Sequence, residues 1–502
     1  MRLLCVVILS VTLFCWSQYV RGQGAALPIN YERKFSKVEL RADFRYLRSI
    51  LEQEHPGINW YTSKESMNIA FEDAYKKIAD EMTEKDFGLL LKPLIAKIRC
   101  GHTDLRFSPE TRKWERAKNR SFILPLGFFI QGDRLFIARN ESNDASLVLG
   151  SEVLEIEGNT AGKILRTLRK YLPSDGYGEA FKDATLEAGF FDEYYLSVFG
   201  GKEKYQISIK NSQGEVKSQI LEFKPRVPTG NRPPRLSKED ETQRRLTRLR
   251  GLSFPKEVAS TALLRISSFS YDDYESFLMT HERFFQEIEQ NHAANLIIDL
   301  RQNSGGNHEI ALDLMKYLMD STFVLTSHAE APVMIPSFIL NNDVEEQDAS
   351  RAFSERIVKK CGEGTYCLNV PSVGKHKPYE QYRFKGNLYI LIGEQTFSAA
   401  SSFVASLKEQ RKATLVGRET GGGEAGCNGG IISTVVLPAT KLRLQFPHFR
   451  ITTAVKAPNI GRGVIPNVNV EYTIQERLNK ADLELEKTYE LIRRAEISKL
   501  GH

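Results

Sequence analysis

Leu388-Tyr389-Ile390-Leu391-Ile392-Gly393-Glu394-Gln395-Thr396-Phe397-Ser398-Ala399-Ala400 runs a strand pattern into a helix start, with Ser398 at the join. The stretch from Leu388 to Ile392 is short, apolar and rich in β-branched and aromatic residues, which predicts a strand covered on both faces. From Ala399 to Gln410 the spacing becomes helical, with Phe403, Val404 and Leu407 on one stripe. Ser398 therefore stands at the positive end of a helix dipole, where the N–H groups of Ala399 and Ala400 are placed to receive developing negative charge. Serine is also a common helix N-cap, a role that needs no chemistry.

A second junction has the same form. Leu296-Ile297-Ile298-Asp299-Leu300 leads into Arg301-Gln302-Asn303-Ser304-Gly305-Gly306, and a helical stripe of Ile310, Leu314, Tyr317 and Leu318 follows. Adjacent glycines let backbone N–H groups face a ligand without Cβ interference, so Gly305 or Gly306 is placed to supply a second oxyanion donor beside Ala399. A plain glycine-rich turn is the simpler alternative.

With these junctions in hand, the sequence resembles the tail-specific, or C-terminal-processing, serine peptidase family, including its tricorn-like and retinoid-binding-protein-like branches. The resemblance covers Leu264 to Phe269, Leu296 to Gly306, Thr396 to Lys408, Leu415-Val416-Gly417-Arg418-Glu419-Thr420-Gly421-Gly422-Gly423, and Gly463-Val464-Ile465-Pro466-Asn467-Val468. Several motifs in the right order make a strong signal where each alone is weak. It implies a crotonase-like α/β catalytic domain over residues 255–475, Ser398 as nucleophile, and an oxyanion hole from Ala399 and the Gly305-Gly306 turn.

One departure bears on the mechanism. Where the bacterial processing branch carries its lysine base, this chain has Gly423, and no lysine occurs between Lys412 and Lys441. A serine hydroxyl needs a neighbouring base. The other branch takes a histidine from the front of the chain, and Cys100-Gly101-His102-Thr103-Asp104 matches its Gly-His-Thr signature. Phe87, Leu90, Leu91, Leu94, Ile95 and Ile98 keep helical spacing before it, so His102 is expected on a turn just past a helix stopped by Gly101. Pro93 predicts a kink or a late start for that helix. Histidine suits proton transfer near neutral pH, and His102 is the expected base, with His308 in reserve. His55, in Glu54-His55-Pro56-Gly57, reads as a helix-ending turn. The third member, which would orient the imidazole, stays open among Glu424, Glu419 and Asn459. Asn467 stands where many relatives have aspartate, which argues against a charge-stabilising role for it.

The 502 residues, 41% apolar and 26% charged, are enough for about three domains with full cores. A net charge of +6 is small for this length, and no basic patch interleaved with aromatics argues for nucleic acid. The expected partner is a polypeptide substrate, and the sequence does not fix an oligomeric state.

Residues 1–22 read as an export signal: Met1-Arg2 is followed by an apolar core, Leu3 to Trp16, that is too short to span a bilayer. Cys15 raises a lipoprotein question, but Phe14 before it fits a lipobox poorly. No stable membrane span is expected, and the destination is periplasmic or extracellular. Four cysteines then remain. Cys361 and Cys367 are spaced to close a small loop, and Cys100 and Cys427 would approach each other if the site assembles as expected. No close Cys/His cluster with ligand spacing appears, so no metal and no organic cofactor is expected.

Upstream, residues 30–115 read as a helical domain ending at His102. Residues 118–224 carry short alternating strands, and Leu149 to Gly158 resembles the heart of a PDZ-like domain, with a β-rich spacer as the alternative. Residues 225–254, with Pro225, Pro228, Pro233 and Pro234, read as a linker. Residues 476–502 read as a C-terminal helix. The expected function is an exported serine endopeptidase using a Ser-His pair rather than a Ser-Lys dyad. The alternative is a catalytically inactive peptide- or lipid-binding member of the same fold.

Overall fold

The fold is described from a computed structural model, for residues 32–118, 123–142, 144–222, 250–270, 274–336 and 355–500. The export signal and nearly all of the linker lie outside these residues. Helices α1 (Lys37–Glu54), α2 (Lys64–Lys76) and α3 (Glu84–Ala96) open the described chain, each begun by a Ser or Thr side chain that accepts a bond from the first turn. At α1 and α3 the cap is reciprocal, through Glu39 and Asp86. The α3 helix runs through Pro93 instead of starting after it, because the Thr83 capping box fixes its origin ten residues earlier.

A six-stranded antiparallel sheet follows, ordered β2 (Leu126–Gln131), β3 (Arg134–Asn140), β4 (Glu152–Ile156), β5 (Lys204–Lys210) and β6 (Val216–Glu222), with the short strand Asn159–Thr160 pairing with β4 off this path. With α4 (Ala161–Leu168) and α5 (Phe191–Phe199) it closes a separate core containing Leu135, Val153, Ile164, Tyr195 and Tyr205.

The larger core surrounds a mixed sheet in the order β7 (Arg250–Ser253), β8 (Thr261–Ile266), β9 (Asn295–Asp299), β13 (Asn387–Ile392), β14 (Thr414–Gly417) and β17 (Val468–Asn469). All neighbours are parallel except β7 with β8. Helices α6 (Tyr274–Gln290), α7 (His308–Lys316) and α8 (Ala399–Gln410) belong to this half of the chain, and residues from each enter its main core. Helix α9 (Leu483–Leu500) lends Tyr489 and Ile492 to the opposite face of the same strands. Both faces of β9 and β13 are therefore buried, which explains their unbroken apolar runs.

A second, antiparallel sheet joins the two ends of the chain. Its order is β11 (Val358–Gly362), β12 (Thr365–Leu368), β10 (Thr326–Ala331), β16 (Arg443–Thr453) and β15 (Gly426–Val436), and β1 (Asp104–Arg106) pairs with β16. The far half of the β15–β16 hairpin, through Val435, Leu437, Leu442, Leu444 and Phe446, completes the core under α1 to α3. Asp43 on α1 fastens the hairpin tip, accepting from the N–H groups of Ala439 (2.9 Å) and Thr440 (2.8 Å) and from the Thr440 hydroxyl (2.7 Å). This shared core carries residues near 102 to Ser398. Cys361 and Cys367 form a disulfide across a tight turn. Cys100 and Cys427 are buried free thiols and form no disulfide.

Candidate active site

Ser398 opens α8 but does not cap it: its side chain bonds no N–H of the first turn. Its backbone takes φ +53°, ψ −126°, a region L-residues seldom enter, so the turn is strained. That conformation presents the hydroxyl to His102, whose Nε2 lies 3.1 Å from Ser398 Oγ across 296 positions of sequence. Thr396 holds the approach to the turn. Its hydroxyl donates to Leu300 O (2.9 Å) and accepts from Gly393 N (3.1 Å), while its carbonyl accepts from Gly422 N and the Ser401 hydroxyl.

Of the amides offered by the two junctions, some are already bonded. Ala400 N is already bonded to Phe397 O (3.1 Å), and Gly305 N to Asn303 Oδ1 (2.9 Å). This removes Ala400 and Gly305 from the sequence-based set. Among the described residues, Ala399 N and Gly306 N carry no protein hydrogen bond, and Gly306 is exposed. Gly305 serves by its lack of a side chain. It sits at φ +96°, and a Cβ there would lie 2.8 Å from both Phe397 O and Ser398 Cβ. Asn303 is buried and spans the junction, donating from Nδ2 to Ile266 O (3.0 Å) and accepting Phe397 N at its own carbonyl (3.1 Å).

His102 lies on the turn expected for it, but the helix before it ends at Ala96, and the left-handed residue is Arg99, at φ +61°. Gly101 is needed for close approach: a Cβ there would come within 2.4 Å of the Phe397 ring. That ring packs against the imidazole, with centroids 5.0 Å apart. Two residues hold the turn: Asp175, which sequence reasoning missed, and His55, which it read only as the end of a helix. Asp175 Oδ1 accepts Gly101 N at 2.8 Å. His55 is buried, with Nδ1 accepting Gly57 N (3.1 Å) and Nε2 therefore donating to Thr103 Oγ1 (2.8 Å). No local pattern marks either residue, since each acts across a long sequence separation.

None of the three candidates for the third member bonds the imidazole. Glu424 bonds Lys408 Nζ (3.2 Å) and the backbone of Asn459 (2.9 Å), and it also accepts the Asn459 side-chain amide. Glu419 pairs with Arg462 (2.9 Å) and accepts Gly463 N (2.7 Å). His102 Nδ1 is buried and has no hydrogen-bond partner among the described residues. Asn467 is structural, exchanging bonds with the Leu415 backbone at 2.8 and 2.9 Å. His308 begins α7 and is near enough to influence His102, but its Nε2 bonds nothing among the described residues.

Burial keeps these rings neutral. It pushes His102 down to about 4, with the His308 ring as a second cause, and His55 to about 3. Burial drives the Asp175 carboxyl the other way, up to about 7, against the lowering effect of bonds from Gly101 and Gly423.

Residues 260–470 match the sequence profile of peptidase family S41. They form a peptidase family S41 domain. The chain is a serine-type peptidase, a hydrolase whose substrates are polypeptides. Its S41 domain contains both junctions, whereas His102 lies outside the matched span. Among solved structures, mature CPAF is similar at 16% identity, covering 91% of this chain and 97% of that one, with a TM-score of 0.62. Mature CPAF complexed with lactacystin is similar at 17% identity, with coverage of 91% and 98% and a TM-score of 0.63. At these identities the likeness concerns the fold: a mixed arrangement of helices and sheets extending well beyond the S41 domain. Comparison with curated protein sequences finds no match. No helix among the described residues is long and apolar enough to cross a membrane.

Proposed function

We propose that the protein is an exported serine endopeptidase in which Ser398 Oγ attacks the peptide carbonyl while His102 Nε2 takes its proton. The single observation supporting this is the 3.1 Å contact between those two atoms, made by a serine whose strained backbone and unused capping capacity have no structural purpose. The N–H groups of Ala399 and Gly306 receive the charge of the tetrahedral intermediate, and the imidazolium then donates its proton to the leaving amine. The domain around β13 and α8 is read as crotonase-like and the sheet β2 to β6 as PDZ-like, a scaffold type that accepts extended peptide as an added strand. Export rests on the pattern of residues 1–22.

A fluorophosphonate probe tests the reading directly. Covalent labelling is expected on Ser398, absent in Ser398→Ala and strongly reduced in His102→Ala; labelling that persists in Ser398→Ala would refute it. Lys408→Met is expected to leave labelling intact, because Lys408 is bound to Glu424 and to Ile465 O (3.0 Å), and its loss instead strands a buried carboxylate and lowers thermal stability.

The depressed basicity of His102 sets the pH dependence. The base acts only when neutral, so kcat/KM should hold through pH 6.5 and fall as pH drops through about 4. An acid limb centred near 6.5 would contradict the buried setting of the ring. Stability shifts the same way: the unfolded chain binds protons below about 6.5 that His102 and His55 refuse when folded, so folding weakens as pH falls from there toward 4. Circular dichroism melts across that window separate the two effects.

A further inference from the structure

At the His102 turn, three side chains of different chemistry converge. Cys100, His102 and Asp175 each offer one ligand atom, and the three atoms lie within 4.8 Å of one another. We propose that they form an inhibitory zinc site. Two of the three residues carry a buried polar atom that folding leaves unused. His102 Nδ1 and Asp175 Oδ2 are both buried without a hydrogen-bond partner among the described residues, and the Cys100 thiol is buried beside them. Buried polar atoms left without partners call for an occupant. A thiolate, an imidazole and a carboxylate form a donor set suited to zinc and poorly suited to calcium or magnesium, which favour oxygen. The site was invisible in the sequence because Asp175 comes from a loop after the β2–β4 strands, far from the Cys100-Gly101-His102 turn.

The positions of Asp175 and Gly101 favour a preformed site. Asp175 Oδ1 is held by Gly101 N, which fixes the carboxylate against the same turn that carries the other two ligands. Binding balances simply: the ion takes three protein ligands and a water, and the Cys100 proton leaves to solvent.

Inhibition follows from the tautomer and rests on the reading of His102 as general base. An imidazole bound to metal through Nδ1 carries its one remaining proton on Nε2. Nε2–H then donates to Ser398 Oγ and cannot accept its proton. The peptidase is off while the ion is bound and returns when a chelator removes it.

Cobalt(II) chloride, added to the chelator-treated full chain, reports binding without any need for activity. One equivalent is expected to give a thiolate-to-cobalt charge-transfer band that zinc chloride abolishes. In Cys100→Ala and Cys100→Ser the band should vanish, and in Asp175→Asn zinc affinity should fall at least ~10-fold. Circular dichroism melts verify that each variant is folded. No band in the parent protein, or zinc affinity unchanged in folded Cys100→Ala and Asp175→Asn, would overturn the site. In a second arm, one equivalent of zinc should block fluorophosphonate labelling of the parent protein and spare that of Cys100→Ala. Labelling undiminished by bound zinc would overturn the inhibition. Failure of the metal-free protein to label would count against the Ser398–His102 reading, while the cobalt band would still decide the metal site.

Discussion

Ser398→Ala is expected to lower peptide hydrolysis by about a million-fold, with His102→Ala costing nearly as much and the double variant no more than either alone. Non-additivity is the informative part. The hydroxyl and the imidazole share one proton across a 3.1 Å contact, so removing either leaves the other with nothing to do. The remaining rate is set by the amides of Ala399 and Gly306 and by substrate binding, neither of which depends on those side chains. Single-turnover kinetics on a peptide cleaved by the parent protein would measure all three variants. Independent effects that multiply in the double variant would mean that Ser398 and His102 do not act as a unit, and that some other group takes the proton.

Gly305→Ala should also be severe, although it alters no reacting atom. The new methyl would meet Phe397 O and Ser398 Cβ at 2.8 Å and Ala399 N at 3.0 Å, with the residue held at φ +96°, where a side chain is strained. Two of these three contacts are backbone atoms of the nucleophile's own turn, so relief requires moving either Ser398 or the Gly306 amide. A shift of about 1 Å in such a turn costs about 10²-fold in rate. Loss should appear mainly in kcat, with KM little changed, because the displaced groups act on the transition state. A kcat within a few-fold of the parent's would show that the two junctions can separate without harm, and would weaken the assignment of Gly306 as a donor.

The strand-to-helix junctions at Ser398 and at Gly305-Gly306 were legible because each is local: an apolar run, a break and a helical stripe within about twenty residues. His102 was legible only through its resemblance to a known signature, since nothing in its surroundings announces a partner 296 positions away. The choice between Gly305 and Gly306 needed coordinates. It turns on the Asn303 side chain consuming one amide and leaving the next free. Glu424 and Asn459 were alternative candidates for orienting the imidazole, and in the structure they bond each other instead. Asp175 escaped notice, and His55 was read only as the end of its helix, for a common reason. Each is a buried polar residue whose partner comes from a different segment, and no periodicity or spacing encodes such a meeting.

The hairpin tip that Asp43 grips makes the first core of the chain depend on one of its last segments. During synthesis the imidazole emerges early, yet the apolar seam beneath its helices stays open until Leu437, Leu442 and Phe446 leave the ribosome. A nascent or truncated chain thus lacks either its hydroxyl or the clasp that aligns it. A chain cut short before this hairpin is therefore expected to show no proteolysis, even where its hydroxyl is present.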